Sequence, residues 1–253
     1  MTVLVVGASG ATGSKLVEQL LIQEYEVKVI VRSLEKLPES WKANENLQII
    51  SASILELSDT EMSVITSGCN AVASCLGHNL TWKGVYGKPR RLVTDATKRL
   101  CEAIKSNNTQ SPTKFVLMNT TGNRNRDLNE TISFAEKCVV GLLRLVLPPH
   151  VDNEKAADYL RTQIGQNNKQ IEWVVVRPDS LINDDKVSDY EIYPSPIRSA
   201  IFNAGKTSRI NVGHFMMGLI SNASLWNTWK GQMPVIYNKS SLIEKNKEVS
   251  KKN

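Results

Sequence analysis

Short apolar runs alternate with stretches of helical period along most of the chain, and the alternation begins at its amino end. Val3-Leu4-Val5-Val6 is continuous and β-branched, the pattern of a strand buried on both faces. From Ser14 the period changes, and Leu16, Val17, Leu20 and Leu21 form a helical stripe. Further strands are predicted over 27–31, 47–50, 70–76, 115–118, 171–178 and 235–237, and a helix should follow the third of the seven strands to about Ser67. Val93, Ala96, Leu100 and Ile104 are spaced to bury one face of a helix over 93–105. An amphipathic helix is predicted over 132–147, closed by Pro148-Pro149, and another over 213–221 after Ile210-Asn211-Val212. Strands that alternate with helices predict an α/β fold: a doubly wound, mostly parallel sheet with helices on both faces.

The junction after the first strand carries chemistry. Gly7-Ala8-Ser9-Gly10-Ala11-Thr12-Gly13 places three glycines three apart where strand becomes helix. Glycines there let the backbone turn sharply, approach an anionic ligand and pack the helix on its strand. Unpaired N–H groups and the helix dipole then favour phosphate, so Gly7, Ser9, Gly10, Ala11, Thr12 and Gly13 are predicted to bind a dinucleotide. The second strand ends at Arg32-Ser33, with Lys36 nearby and no carboxylate before Glu35. A carboxylate at such a strand tip would accept from a ribose 2′-OH, whereas an arginine suits a 2′-phosphate, so NADP(H) is expected in preference to NAD(H).

Composition narrows the class. The 253 residues are 41% hydrophobic and 22% charged, as in ordinary globular proteins. Of the net charge of +6, half comes from Lys239, Lys245, Lys247, Lys251 and Lys252 against Glu244 and Glu248, which argues for a solvated tail over a nucleic-acid arm. Cys69, Cys75, Cys101 and Cys138 have neither metal-ligand spacing nor the density of a secreted scaffold, and are expected to be reduced core thiols; no metal site is expected. A strand beginning at residue 2 or 3 leaves no room for a signal peptide, and no apolar stretch is long enough to span a bilayer. A cytoplasmic protein is expected.

The glycine spacing, together with Lys155 and the Arg177-Pro178 pair at the end of the 171–178 run, resembles the atypical short-chain dehydrogenase/reductases, the branch of the NmrA-like regulators and the biliverdin IXβ/flavin reductases. The resemblance covers Thr2 to about Leu181 and implies a Rossmann-like fold followed by a variable substrate segment over 181–238, with a flexible charged tail over 239–253. It implies that Leu76 and Gly77 pass close to the cofactor ribose, and that Pro178 lies beside the nicotinamide. Ser53 stands near where relatives carry an aspartate for the adenine amino group, which is a departure. Thr120 and Thr121 stand about where the family places the hydroxyl that binds a substrate carbonyl; either could instead cap the next segment. The Val151 to Arg161 block matches the family's Tyr-x-x-x-Lys helix with Lys155 in the lysine position, as holder of the ribose, and Val151 in the tyrosine position. Valine donates no proton, so His150 becomes the candidate substitute.

The 78–91 loop could form a basic and aromatic substrate wall or simply be solvated, and the 123–149 segment is longer than a connection requires, which suggests a lid over the nicotinamide. His214, at the predicted start of its helix, reads as a capping or packing residue. The chain is therefore expected to be one NAD(P)-binding domain over 1–238, monomeric or a homodimer, with no membrane or nucleic-acid partner. Two functions fit: an NADPH-dependent reductase of flavins, quinones or conjugated carbonyls, or an NADP(H) sensor that regulates a protein partner.

Overall fold

A computed structural model describes residues 1–35, 37–78 and 81–239. β1 (Thr2–Val6) leads into α1 (Ala11–Ile22), β2 (Glu26–Val31), α2 (Glu39–Lys42), β3 (Leu47–Ser51), α3 (Asp59–Thr66) and β4 (Ala71–Ser74). There follow α4 (Trp82–Tyr86), α5 (Leu92–Ser106), β5 (Thr113–Met118), α6 (Phe134–Val146), α7 (Pro148–Tyr159), a π-helical turn at Leu160–Ile164, and β6 (Ile171–Pro178). The last part holds β7 (Ser180–Ile182), β8 (Tyr190–Tyr193), β9 (Lys206–Ser208), α8 (Arg209–Ser221), α9 (Ala223–Trp229) and β10 (Val235–Asn238).

Eight strands form one sheet in the order β3-β2-β1-β4-β5-β6-β10-β8, parallel throughout except for β8 against β10. The chain starts at the centre, builds outward through β2 and β3, then returns to β1's other side with β4. This reversal opens a crevice at the carboxyl ends of β1 and β4, where ligands of doubly wound sheets bind. The β1 residues show why the run was continuous: Val3 and Val5 join the core under α1 and α8, while Leu4 and Val6 join the core under α3, α5 and α7. A strand buried on both faces has no polar side to show.

Three expectations are corrected. Residues 78–91 are not all loop, because Trp82–Tyr86 is helical and the Tyr86 ring packs tilted against Trp82 with ring centroids 4.6 Å apart. Ile210-Asn211-Val212 belongs to α8, whose N-cap Ser208 accepts from the Asn211 N–H; His214 therefore lies inside the helix, where the Tyr190 hydroxyl meets its Nδ1 at 2.8 Å. Cys138 is exposed, whereas Cys69, Cys75 and Cys101 are buried as expected. Of the 239–253 tail, only Lys239 falls within the described residues, and its N–H donates to the Asp189 carbonyl at 2.9 Å.

α1 and α8 cross at Gly213, where a Cβ would stand 3.0 Å from the Leu16 amide nitrogen and 3.1 Å from the Lys15 carbonyl carbon. Both neighbours are backbone and cannot rotate away. Gly213→Val should therefore force the helices apart at about 1–3 kcal/mol, the usual cost of overpacking. Thermal unfolding should show a fall of about 2–4 °C per kcal/mol, and an unchanged Tm would mean that the crossing is not tight.

Candidate cofactor and active site

The glycine turn divides its labour unequally. Gly7 has φ +76°, and a Cβ there would lie 2.5 Å from the Cys75 backbone carbonyl. A Cβ on Gly13 would lie 2.2 Å from the Gly7 carbonyl oxygen. These two glycines let β1, β4 and α1 pack together. Gly10, by contrast, is exposed, and its Cβ would approach only the Gly7 oxygen, at 3.1 Å. Its N–H donates to that same oxygen at 3.0 Å, which closes the turn. No side chain caps α1 and no acid lies in its first turn, so the leading N–H groups face the crevice with the dipole uncompensated. Ser9 and Ala11 are exposed beside them and Thr12 is buried. Across the crevice Leu76 is half-buried, and a Cβ on Gly77 would meet nothing within 4 Å. Uncapped donors opposite open space fit a pyrophosphate.

Arg32 lies two residues beyond Ile30, the partner of Val6, and so at the carboxyl edge beside the glycine turn. Its side chain is exposed and forms no ion pair among the described residues; Ser33 and Ser53 are half-buried, and Lys36 lies outside the described residues.

The opposite end of the edge is built from β5, α7 and β6. Asn119 is buried, donates to the Asn153 carbonyl at 2.9 Å and accepts from the Thr120 N–H at 2.9 Å, which fixes the turn after β5. The Thr121 N–H donates to the Pro178 carbonyl at 3.1 Å, and Thr120 Oγ1 accepts from the Gly122 N–H at 3.3 Å. A Cβ built on Gly122 would lie 3.6 Å from His150 Cε1 and 3.8 Å from Thr120 Oγ1, so the imidazole and the hydroxyl flank the same small gap. A cavity of about 260 Å³ opens there, lined among others by Thr120, Thr121, His150, Asp179 and Ser180.

His150 Nε2 is buried without a hydrogen-bond partner among the described residues and stands 3.6 Å from Glu154 Oε1. Arg144 grips Glu154 with Nη2 at 2.7 Å and Nε at 2.9 Å. Burial alone would raise the Glu154 pKa, but His150 and Arg144 outweigh it and bring it to about 2. Glu154 is thus an anion across the neutral range.

Helix geometry also decides which spaced pair faces the site. His150 lines the cavity and Glu154, four residues on, is buried beneath it against Arg144; one residue further on rotates by about 100°, and Lys155 is solvent-exposed. The structure therefore brings Thr120, Thr121, His150 and buried Pro178 together, while exposed Lys155 does not line this cavity. Val151 contributes no polar group to the cavity, and its place is not filled by a tyrosine.

Two carboxylates escaped the sequence reading. Asp179, buried at the end of β6, accepts from the Gly205 N–H at 2.8 Å and the Ser180 N–H at 2.9 Å; burial nevertheless holds its pKa above the usual value. Its position directly after Arg177-Pro178 was a usable signal. Asp152 of α7 reaches the start of α5, accepting from the Val93 and Thr94 N–H groups at 2.8 and 2.9 Å and from His78 Nε2 at 2.8 Å. Burial opposes its charge, but these donors lower its pKa overall. Arg177 itself is fully buried and holds the site's outer wall: it pairs with Glu130 at 2.7 and 3.1 Å and donates to the carbonyls of Asn123, Pro194 and Met233.

A doubly wound sheet with an uncapped glycine-turn helix at its switch point defines a class, that of the nucleotide-binding Rossmann-like proteins. More narrowly, the chain belongs to the NAD(P)H-binding family, whose model matches residues 7–223. A chloroplastic protein of Arabidopsis thaliana is 29% identical over 192 residues, which make up 76% of this chain and 63% of that protein, so the chain spans under two thirds of that relative's length. A short-chain dehydrogenase/reductase of Veillonella parvula, solved in complex with NADP, is similar at TM-score 0.69 and 16% identity, over 94% of this chain and 95% of that one. An anaerobilin reductase of Escherichia coli is similar at TM-score 0.67 and 13% identity, over 95% and 98% of the two chains. At these identities the likeness to the solved structures is one of fold. No helix among the described residues is long and apolar enough to cross a membrane, and no cluster of His, Cys, Asp and Glu there could hold a metal.

Proposed function

We propose that the chain is an NADPH-dependent reductase that acts on a flavin, quinone or conjugated carbonyl. The observation that carries this reading is the cavity of about 260 Å³, with Thr120, Thr121, His150, Asp179 and Ser180 in its otherwise apolar lining, at the same sheet edge as the uncapped α1 terminus. When bound, the cofactor supplies a hydride. The chain's own part is to bind and orient: the α1 N–H groups hold the pyrophosphate, and Arg32 pairs with the 2′-phosphate. The Thr120 hydroxyl is placed to hydrogen-bond an acceptor oxygen. His150, with the Glu154 carboxylate 3.6 Å from its Nε2, is the candidate proton donor. Acceptors whose reduced form needs little acid assistance suit a site without tyrosine. In this reading the chain works in the cytoplasm on a small molecule, as a monomer or homodimer.

A second reading, an NADP(H) sensor for a protein partner, draws on the absence of a tyrosine and on α6, whose Phe134 and Leu145 are 81% and 83% exposed. Stopped-flow mixing of NADPH-loaded protein with flavins, quinones, aldehydes and enones separates the two. The reductase should transfer hydride to at least one quinone or flavin, and His150→Phe should slow that step by about 10²-fold or more, the usual contribution of a positioned acid. No transfer to any acceptor would leave the sensor standing.

A further inference from the structure

Beyond the cavity at His150 lies a second chamber of about 430 Å³, which shares Thr121, Gly122, Val140, Ala200 and Ile201 with the first. The two chambers adjoin at these shared residues, the inner one at Thr120 and His150 and the outer one between α6 and the 195–201 segment. The outer chamber is not purely apolar. Arg124 lines it, and the Arg124 Nε is buried with no hydrogen-bond partner among the described residues. Arg124 Nη2 donates to the Glu130 carbonyl, which fixes the guanidinium in place. Arg198 lines the same chamber from the other side, with its guanidinium carbon 6.0 Å from the Tyr237 ring centroid.

The chamber's two carboxylates are already engaged. Both oxygens of Glu130 are taken by Arg177. Glu136 is buried and accepts from the Ser199 hydroxyl at 3.0 Å. With Glu130 neutralised by Arg177, and Arg198 also interacting with Asp179 of the inner cavity, Arg124 keeps a guanidinium nitrogen that no carboxylate pairs among the described residues. A buried guanidinium nitrogen left unpaired costs free energy that an entering oxyanion would recover. Ile132, Ile197 and Val140 supply apolar wall beside it.

We infer that the outer chamber is an anion subsite: the substrate is an amphipathic acid, whose reducible apolar body lies at His150 and whose carboxylate is held by Arg124. This rests on the reductase reading for the position of the reducible end, but the anion subsite can be tested without it. The probes are anthraquinone-2-carboxylate and its methyl ester, titrated calorimetrically into the protein with and without NADP⁺. The acid should bind about tenfold tighter than the ester or better, the range of a charge-assisted hydrogen bond. Arg124→Gln, which can still donate to the Glu130 carbonyl, should bring the ratio close to one while leaving NADP⁺ affinity unchanged, and Arg124→Lys should restore part of it. Equal binding of acid and ester by the unmutated protein, binding of neither, or a ratio that survives Arg124→Gln would overturn the assignment. Failure of the cofactor reading would show differently, as absent NADP⁺ binding with the acid-to-ester ratio still present in the unloaded protein.

Discussion

Arg177→Met should lower the unfolding free energy by about 3–5 kcal/mol, the range seen when one partner of a buried ion pair is removed. The guanidinium is fully buried and ties three separate pieces of chain together, the loop with Asn123 and Glu130, Pro194, and Met233. Its loss leaves the Glu130 carboxylate buried beside a thioether and strips three carbonyls of a donor. At about 2–4 °C per kcal/mol for a chain of this size, Tm should fall by roughly 6–20 °C. Adding Glu130→Leu should recover a large part of the loss, because the cost lies in the orphaned charge more than in the lost attraction. The turn carrying Thr120 to Gly122 runs into the clamped segment, so acceptor turnover should suffer before nucleotide binding does. A single variant within 1 kcal/mol of the unmutated protein in urea unfolding would show that the pair is not the clamp described here.

Gly10→Val should leave the fold standing and remove the cofactor. Its Cβ has only the Gly7 oxygen to meet, at 3.1 Å, while the rest of the side chain projects over the uncapped start of α1. A branched group there takes the space of the pyrophosphate and costs at least two hydrogen bonds to charged oxygens, about 3 kcal/mol or 100-fold in Kd. Gly7→Ala and Gly13→Ala should behave in the opposite way and fail as folds, since their Cβ atoms would meet backbone at 2.5 and 2.2 Å. Circular dichroism and NADPH titration of the three variants would separate the roles. A folded Gly10→Val protein with undiminished affinity would remove the turn from the binding site.

The parts of this molecule that could be read in advance are those whose cause is local. A β-branched run, a glycine turn and a helical stripe lie within twenty-two residues, and β1, the turn and α1 appear where the pattern puts them. β7 and β9 could not be seen, because three-residue strands such as Ser180–Ile182 exist only through pairing with a distant segment. Asp152 was invisible as a cap for the same reason, since the helix it serves begins sixty residues earlier in the chain, at Leu92. Val151/Lys155 and His150/Glu154 have the same spacing, and only the packing of Ala156, Ala157 and Leu160 against α5 turns the second pair inward. Arg177 was visible as a strand-end marker, while its role as a clamp depended on partners in three remote loops.

The proposed binding of NADPH at this sheet edge, with Arg32 reading the 2′-phosphate, is tested by paired calorimetric titrations of NADPH and NADH. The unmutated protein should bind NADPH tighter by about 1.5–3 kcal/mol, the worth of a hydrogen bond to a charged group, and Arg32→Asp should reverse the order. Equal affinities for the two nucleotides, or a preference untouched by Arg32→Asp, would contradict the account.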